Sequence, residues 1–479
     1  MSRARVRPGR GTSPSDASID KLLADARPVP YWFDRTPPAA DGEPLQRPAR
    51  ADLTIVGGGF TGLWTAILAK EEDPSRDVVV LEGGEVGCGA SGRNGGFVSD
   101  SLTHGLAHGT AMWPDELGDL VRLGRENVSA IAAFLEGEAI DADLRLCGKT
   151  VVATRPHEVE ALAGSYEVHR EHGEDVTLLS ADDVRRDVDS PTYLAGLRVR
   201  SGGGLVDPGR LVSGLLGAAR RRGVRVHERT PVRGVERRGD AIAVVTEHGD
   251  VVSRQVVIAT NAFPPLLKRI RAYTIPVWDH VIVTEPLSPA QLSAIGWADN
   301  QGLTDSGNQF HYYRRTPDDR ILFGGYDAIY YYGARTDAAL EQRDSSHRLL
   351  VKHLSATFPG LDGIGISHRW AGVIDTSTRF TPVFGTAYGG RLAYAVGYTG
   401  LGVASSRFGA QVALDLLGRR RTKRTRLAAI TARPVPFPPE PLRYPVVQMT
   451  RRQLAREDAT GRRPAMLRAL DRFGVGFNS

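Results

Sequence analysis

ADLTIVGGGFTGLWTAILAKEEDPSRDVVVLEGGEVGCGASGRNGG, residues 51–96, decides how this chain is read. Leu53, Ile55 and Val56 form a short apolar run that enters Gly57-Gly58-Gly59-Phe60-Thr61-Gly62, and Leu63, Ala66, Ile67 and Ala69 follow at helical spacing. This is a GxGxxG turn between a strand and a helix, the context in which that spacing carries meaning. Gly57 serves the tight turn, Gly59 lets the backbone approach a pyrophosphate, and Gly62 lets the helix pack close to the strand. The pyrophosphate then lies at the helix N-terminus, with Phe60 and Thr61 in its first turn. Val78 to Leu81 form a second buried strand, and Glu82 ends it twenty residues after Gly62. A carboxylate there accepts hydrogen bonds from ribose hydroxyls and favours an adenosine with a free 2′-hydroxyl. A glycine turn with no ligand is the competing reading of GxGxxG alone, but the acid and second strand in register oppose it.

The rest of the composition sets bounds. At 479 residues the chain accommodates two or three domains, or one large fold with a second domain embedded in it. Apolar residues make up 41%, as in an ordinary water-soluble core. The net charge of +6 is concentrated at the N-terminus and in Arg419-Arg420-Arg421-Thr422-Lys423-Arg424, with no nucleic-acid motif beside it, so no nucleic-acid partner is expected. With two cysteines, Cys88 and Cys147, no disulfide framework is expected, which fits a reducing cytoplasm. No apolar run approaches ~18 residues, so no membrane insertion is expected. The N-terminal arginines precede no apolar stretch of the secretory kind, and no cluster of residues suggests a metal.

Along the chain, residues 1–27 are rich in Arg, Ser, Gly and Pro and read as a disordered basic terminus. Residues 28–50 contain six prolines around Tyr31-Trp32-Phe33 and read as an extended arm docked by its aromatic side chains. Asp207 and Pro208 open an amphipathic helix as cap and first residue. The strand Val251 to Ile258 leaves through the small residues Ala259-Thr260-Asn261, which allow a loop to lie against a bound cofactor or simply end the strand. Pro276 to Thr284, Phe310 to Arg315 and Arg320 to Gly325 alternate as an antiparallel sheet does when one face is solvated or lines a pocket. Near the end, a strand through Val396, a Gly397-Tyr398-Thr399-Gly400-Leu401-Gly402 turn and a helix from Val403 repeat the strand–turn–helix order.

Four blocks together, GGGFTG with Glu82, GASGRNGG (89–96), VIATNAF (257–263) and GYTGLGVASSRFGA (397–410), resemble the D-amino-acid oxidase-like flavoproteins. The likeness is greatest to γ-glutamylputrescine oxidase-type FAD-dependent amine oxidoreductases and runs from about residue 51 to the C-terminus. It implies an α/β fold: a discontinuous Rossmann-like FAD-binding domain (51–110, 195–271 and 359–418) with an inserted α+β substrate domain on an antiparallel sheet (111–194 and 272–358). Residues 419–479 are left as a basic, Pro-rich tail. The resemblance places the FAD pyrophosphate on GGGFTG, the adenosine ribose on Glu82 and adenine on the main chain of Val232. It sets Ser91, Arg93, Asn94 and Gly95 beside the ribityl chain and flavin, and Thr260 and Asn261 along the cofactor. Gly397, Gly400, Gly402 and Val403 would open a helix at the flavin's pyrimidine edge, where backbone amides and the helix dipole stabilise the negative charge of the reduced ring. Some relatives attach FAD to a cysteine before the last helix or to a histidine in the second glycine turn. Here there is no cysteine beyond Cys147 and Arg93 stands at the latter position, so non-covalent FAD is expected.

The reaction so implied is oxidation of a primary or secondary amine, with hydride transfer to FAD, imine hydrolysis, and dioxygen as electron acceptor giving hydrogen peroxide. An amine that arrives neutral needs no separate base. Alternatives are a dehydrogenase passing electrons to a protein or quinone, and a non-catalytic or RNA-associated FAD protein. A single GxGxxG unit argues against an NAD(P)H-dependent reductase. For the small-molecule amine, Tyr312 and Arg314 share one face of a strand and suit a carboxylate, or else form an exposed edge. Trp370, in a segment the resemblance leads back to the flavin, is a wall of the site or core, and Tyr398 lies within the flavin loop. His280, Tyr326 and Tyr330 to Tyr332 are further candidates.

Overall fold

A computed structural model describes residues 14–37 and 42–476. Two eight-stranded sheets organise these residues. The spine of the first runs Val383–Ala387, Leu392–Val396, Val251–Ile258, Ala49–Val56, Val78–Leu81 and Arg225–His227 in spatial order. Ala49–Val56 is parallel to both neighbours, with Val56 opposite Leu81 on one side and Ile258 on the other. Parallel strands need cover on both faces, and the alternation of their side chains supplies it. Leu53, Ile55, Val78, Val80 and Val257 pack against the helices Phe60–Glu72, Pro208–Arg221 and Gly402–Leu417. Val56, Val79, Leu81, Val256 and Ile258 turn the other way, against the hairpin Val232–Arg238/Ala241–Thr246. As the sequence indicates, Asp207 caps Pro208–Arg221 by accepting the Arg210 amide at 3.0 Å.

The second sheet runs Ile366–Ser377, Thr274–Thr284, Ile321–Gly325, His311–Arg315, Gly302–Asp305, Lys149–Ala153, Ala195–Val199 and Val176–Ser180. It is antiparallel except where Gly302–Asp305 lies parallel to Lys149–Ala153. The long intervening chain makes that parallel crossover feasible. Two strands placed with the nucleotide domain by sequence, Ala195–Val199 and Ile366–Ser377, belong to this sheet instead, the latter pairing along nearly all of Thr274–Thr284. Their apolar faces complete the second core, which sequence order alone does not show.

The terminal segments also depart from expectation. Of the stretch read as disordered, residues 1–13 lie outside the described residues, but Asp16–Leu23 is a helix capped by Ser15, whose Ile19 and Leu23 are buried in the second core. Biased composition hid an amphipathic turn. Within the Pro-rich arm, where residues 38–41 are also outside the described set, Tyr31–Arg35 is helical rather than extended, because no proline interrupts it after Pro30. Tyr31 and Trp32 are buried, so the aromatic side chains do dock the arm. The tail carries a short helix, Ala428–Thr431, and two longer ones, Arg443–Thr460 and Ala465–Arg472. Arg420 and Arg424 of the basic run pair with the buried Asp415, and Arg420 also with Glu72. Among the described residues, no helix is long and apolar enough to cross a membrane.

Candidate cofactor and substrate site

A cavity of about 1420 Å³ runs from the glycine turns of the first sheet to one face of the second. Its floor is the Gly57–Gly62 turn. Gly57 has φ of 109°, and a Cβ there would stand 2.5 Å from the Ala259 carbonyl oxygen. A Cβ on Gly62 would stand 1.9 Å from the Gly57 carbonyl oxygen, so only glycine lets the helix approach this closely. Ser91 Oγ accepts the Phe60 amide at 2.9 Å and lies where a Gly59 side chain would begin, tying the second glycine turn to the first. The Glu82 carboxylate accepts the amides of Gly58 at 2.7 Å and Gly84 at 2.9 Å, keeping further lone pairs for a hydroxyl. Burial raises its pKa, and the amides of Gly84, Gly58 and Gly83 oppose that rise.

The second glycine turn is held from behind by two indoles. Trp32 Nε1 donates to the Asn94 carbonyl and Trp370 Nε1 to the Arg93 carbonyl, each at 2.8 Å. Arg93 donates to the Cys88 carbonyl at 2.7 Å, the Glu341 carboxylate at 2.5 Å and the Ala371 carbonyl at 3.1 Å. Asn94 bridges Ala90, Ser91 and the Gly96 amide. Both residues line the cavity while their polar atoms shape the turn itself.

Gly57, Gly59, Phe60, Thr61, Glu82, Ser91, Gly95, Val232, Thr260, Asn261, Gly400, Gly402 and Val403 also line the cavity, whereas Gly62 and Gly397 lie behind its surface. Thus all but two of the residues that sequence assigned to FAD border one cavity. The cradle of side-chain-free positions and the helix terminus fit a dinucleotide.

The substrate-side expectations need correction. Trp370 is fully buried and buttresses Arg93 instead of walling the cavity. Arg314 is also fully buried, donates to the Val206 carbonyl at 2.6 Å and lies over the Trp32 ring at 5.3 Å. Strand alternation gives a side chain's face but not what covers it, and the second glycine turn covers Arg314. Tyr398 lines the cavity, yet its hydroxyl accepts from Thr61 Oγ1 at 3.0 Å and abuts Gly409, making it a strut between two helices. Tyr312 does face the cavity, with its ring against Gly95 and its hydroxyl donating to Asp279 at 2.5 Å. His280 is buried beside His347, 5.3 Å between ring centres, whereas Tyr326 and Tyr330 line the cavity.

Two carboxylates were missed by sequence. Asp279 neighbours His280 on the strand and therefore points to the opposite, cavity face, a signal that alternation contained. Asp375 accepts the amides of Gly397 and Tyr398 and lies under the last glycine turn. Those two amides are therefore unavailable to a ligand. Nothing in local spacing marks Asp375, because its partners lie over twenty residues away.

A family model described as FAD dependent oxidoreductase (DAO) matches residues 52–416. γ-Glutamylputrescine oxidoreductase of Escherichia coli is 33% identical over 387 residues, 78% of this chain and 85% of that protein. The probable oxidoreductase OrdL of Haemophilus influenzae is 28% identical over 396 residues, 81% and 87% of the two chains. Among solved structures, glycine oxidase from Geobacillus kaustophilus superposes with a TM-score of 0.65 at 21% identity, covering 78% of this chain and 96% of that one. L-proline dehydrogenase from P. horikoshii gives a TM-score of 0.65 at 19% identity, covering 78% and 95%. These two structural likenesses concern the fold.

Proposed function

The chain belongs to the FAD dependent oxidoreductase (DAO) family and uses FAD, and from that premise we propose that it oxidises a primary or secondary amine, such as an amino acid, a polyamine derivative or an N-alkylated amine. The observation that carries this reading is the continuity of the cavity from the dinucleotide cradle to the sheet face bearing Tyr312 and Asp279. The 33% identity to γ-glutamylputrescine oxidoreductase supports an amine as donor.

FAD, when bound, supplies acceptance of a hydride from the carbon beside the substrate nitrogen. The protein's part is positioning. Gly57, Gly59 and the start of Phe60–Glu72 hold the pyrophosphate, and Glu82 holds a ribose hydroxyl. The turn 89–96, fixed by Trp32, Trp370 and Glu341, presents a rigid backbone to the space that Tyr312 closes from above. The apolar wall excludes water from the reacting carbon. The imine released is hydrolysed in water to a carbonyl compound and an amine or ammonia.

Dioxygen is the proposed acceptor, giving hydrogen peroxide. A protein or quinone acceptor is the second reading. FAD is held without a covalent bond: Cys88 lines the cavity near Glu82, at the adenosine end, and Cys147 is outside the lining. An anaerobic screen of primary and secondary amines should bleach the visible flavin band with at least one of them, and admitting air should restore it with peroxide. If no amine bleaches the band, amine oxidation is wrong. Restoration only by an added quinone would replace dioxygen as acceptor. Acid precipitation should leave the yellow colour in the supernatant.

A further inference from the structure

The sheet face that closes the cavity holds a carboxylate with no cation to answer it. Asp279 lies on Thr274–Thr284 opposite Gly372 of Ile366–Ser377, half-buried in the cavity wall. From the neighbouring His311–Arg315 strand, Tyr312 donates its hydroxyl to Asp279 at 2.5 Å. The groups packed around it do not neutralise it. Asp327, beyond the end of Ile321–Gly325, adds negative charge although Arg451 pairs with it at 2.7 Å, and His311 acts from a distance with its own ring held by Asp305. On the facing glycine turn, Arg93 passes close to Gly372, but its guanidinium is turned to Glu341 and two carbonyls. Among the described residues, none forms an ion pair with Asp279.

An ionised carboxylate in the wall of an apolar cavity is costly unless a cation or several donors meet it. Burial pushes Asp279 up to about 6, opposed by the Tyr312 hydroxyl and the His280 amide. It is thus an anion at neutral pH that retains affinity for a proton. The cavity in front of it, beside Tyr312, is the space that the amine reading leaves for the substrate. Alkyl amines arrive from neutral water as ammonium ions, while hydride loss from the adjacent carbon requires the nitrogen lone pair.

Resting on the amine-oxidation reading, we propose that Asp279, oriented by Tyr312, selects substrates whose reacting nitrogen is an ammonium ion and accepts the proton that must leave it. In this step one N–H bond breaks, its electron pair stays on nitrogen, and an O–H bond forms on Asp279. The substrate class narrows to amines basic enough to be cationic in solution. Amides and weakly basic aryl amines are excluded, since neither brings a charge to the carboxylate.

The test uses FAD-loaded protein and 2-phenylpropan-2-amine, which has no hydrogen on the carbon beside nitrogen and so binds without being oxidised. Its neutral isostere is 2-phenylpropan-2-ol. Calorimetry on the wild type should show the amine bound about tenfold or more tightly than the alcohol, the scale of a charge-assisted hydrogen bond. At about pH 7.5, between the pKa values of carboxyl and amine, the enthalpy should be the same in phosphate and Tris, because the proton enters with the amine and stays in the complex. Asp279→Asn, checked for FAD content and melting temperature, should abolish the preference for the amine. Equal binding of amine and alcohol by the wild type, no binding of the amine, or a buffer-dependent enthalpy reporting a released proton would each overturn the proposal. The wild-type measurements decide it even if the variant fails to fold. If Asp279→Asn is bleached by amines as fast as the wild type, this inference fails while amine oxidation stands. If the wild type shows the amine preference but no amine bleaches the flavin, the oxidation reading fails and the cation site remains.

Discussion

Asp375 shows how one side chain can set the pH response of the whole site. It is buried under the last glycine turn, and burial pushes its carboxyl up to about 7 against the opposing pull of the Gly397 and Tyr398 amides. The folded pKa lies above the unfolded one, so the fold favours the protonated form. The stability this gives is fully present below about pH 4 and is lost as pH rises to about 7, at up to about 1.4 kcal/mol for each unit between them. Asp375→Asn removes that dependence. Its single carbonyl oxygen serves the two amides less well, with a cost of about 1–3 kcal/mol at low pH. Melting temperatures should therefore place the variant below the wild type at about pH 5, with the gap closing or reversing by about pH 8 as the wild-type carboxyl ionises. A gap constant across that range would show that Asp375 does not titrate there. Neither Asp375 nor the covered Arg314 is legible in sequence, because the groups that bury them arrive from distant segments. Tyr312 was legible, since alternation on one strand suffices to set its direction.

Helices differ in whether a change at their N-terminus reaches the cavity. On Phe60–Glu72, Gly62→Ala would put a methyl group 1.9 Å from the Gly57 carbonyl oxygen and force the helix away from the strand. The expected result is about 1–3 kcal/mol of lost stability, the usual cost of overpacking, together with a marked drop in the FAD retained on purification. On Pro208–Arg221, Asp207→Ala removes the bond to the Arg210 amide. It should cost about 1 kcal/mol with FAD content unchanged, because Asp207 does not line the cavity. Chemical denaturation and the ratio of flavin to protein absorbance separate the two, and equal FAD loss in both would refute the distinction. These helices are readable because their signals are local: a glycine spacing in one, a cap and a proline in the other. The Asp16–Leu23 helix was hidden although its apolar residues have helical spacing, since eight residues within a polar stretch give too short a pattern to outweigh composition.

At the scale of the molecule, the segment read as a tail is a wall. Val446, Val447, Thr450, Arg451 and Leu454 of Arg443–Thr460 line the cavity. The helix is fastened to the second sheet: Asp458 accepts the amides of Asn308 and Gln309, each at 2.8 Å, and Arg451 meets Asp327 at 2.7 Å. Sequence concealed this because the helix is polar over most of its surface and only Thr450 and Asp458 are buried. A helix held by side chains aimed at backbone amides leaves no apolar stripe to read. The proposed FAD cradle lies elsewhere, in the glycine turns of residues 57–62, 89–96 and 397–402, most of which border the cavity. Ending the chain after Pro441 should therefore leave FAD bound but expose it to water. Iodide quenching of flavin fluorescence should rise several-fold, with the ratio of flavin to protein absorbance little changed. Asp458→Asn, which weakens one end of the helix, should give an intermediate quenching constant. Quenching as low in the shortened chain as in the full one would mean that the cavity is closed by the sheets alone, and a parallel loss of FAD would mean that the helix supports the cradle as well as covering it.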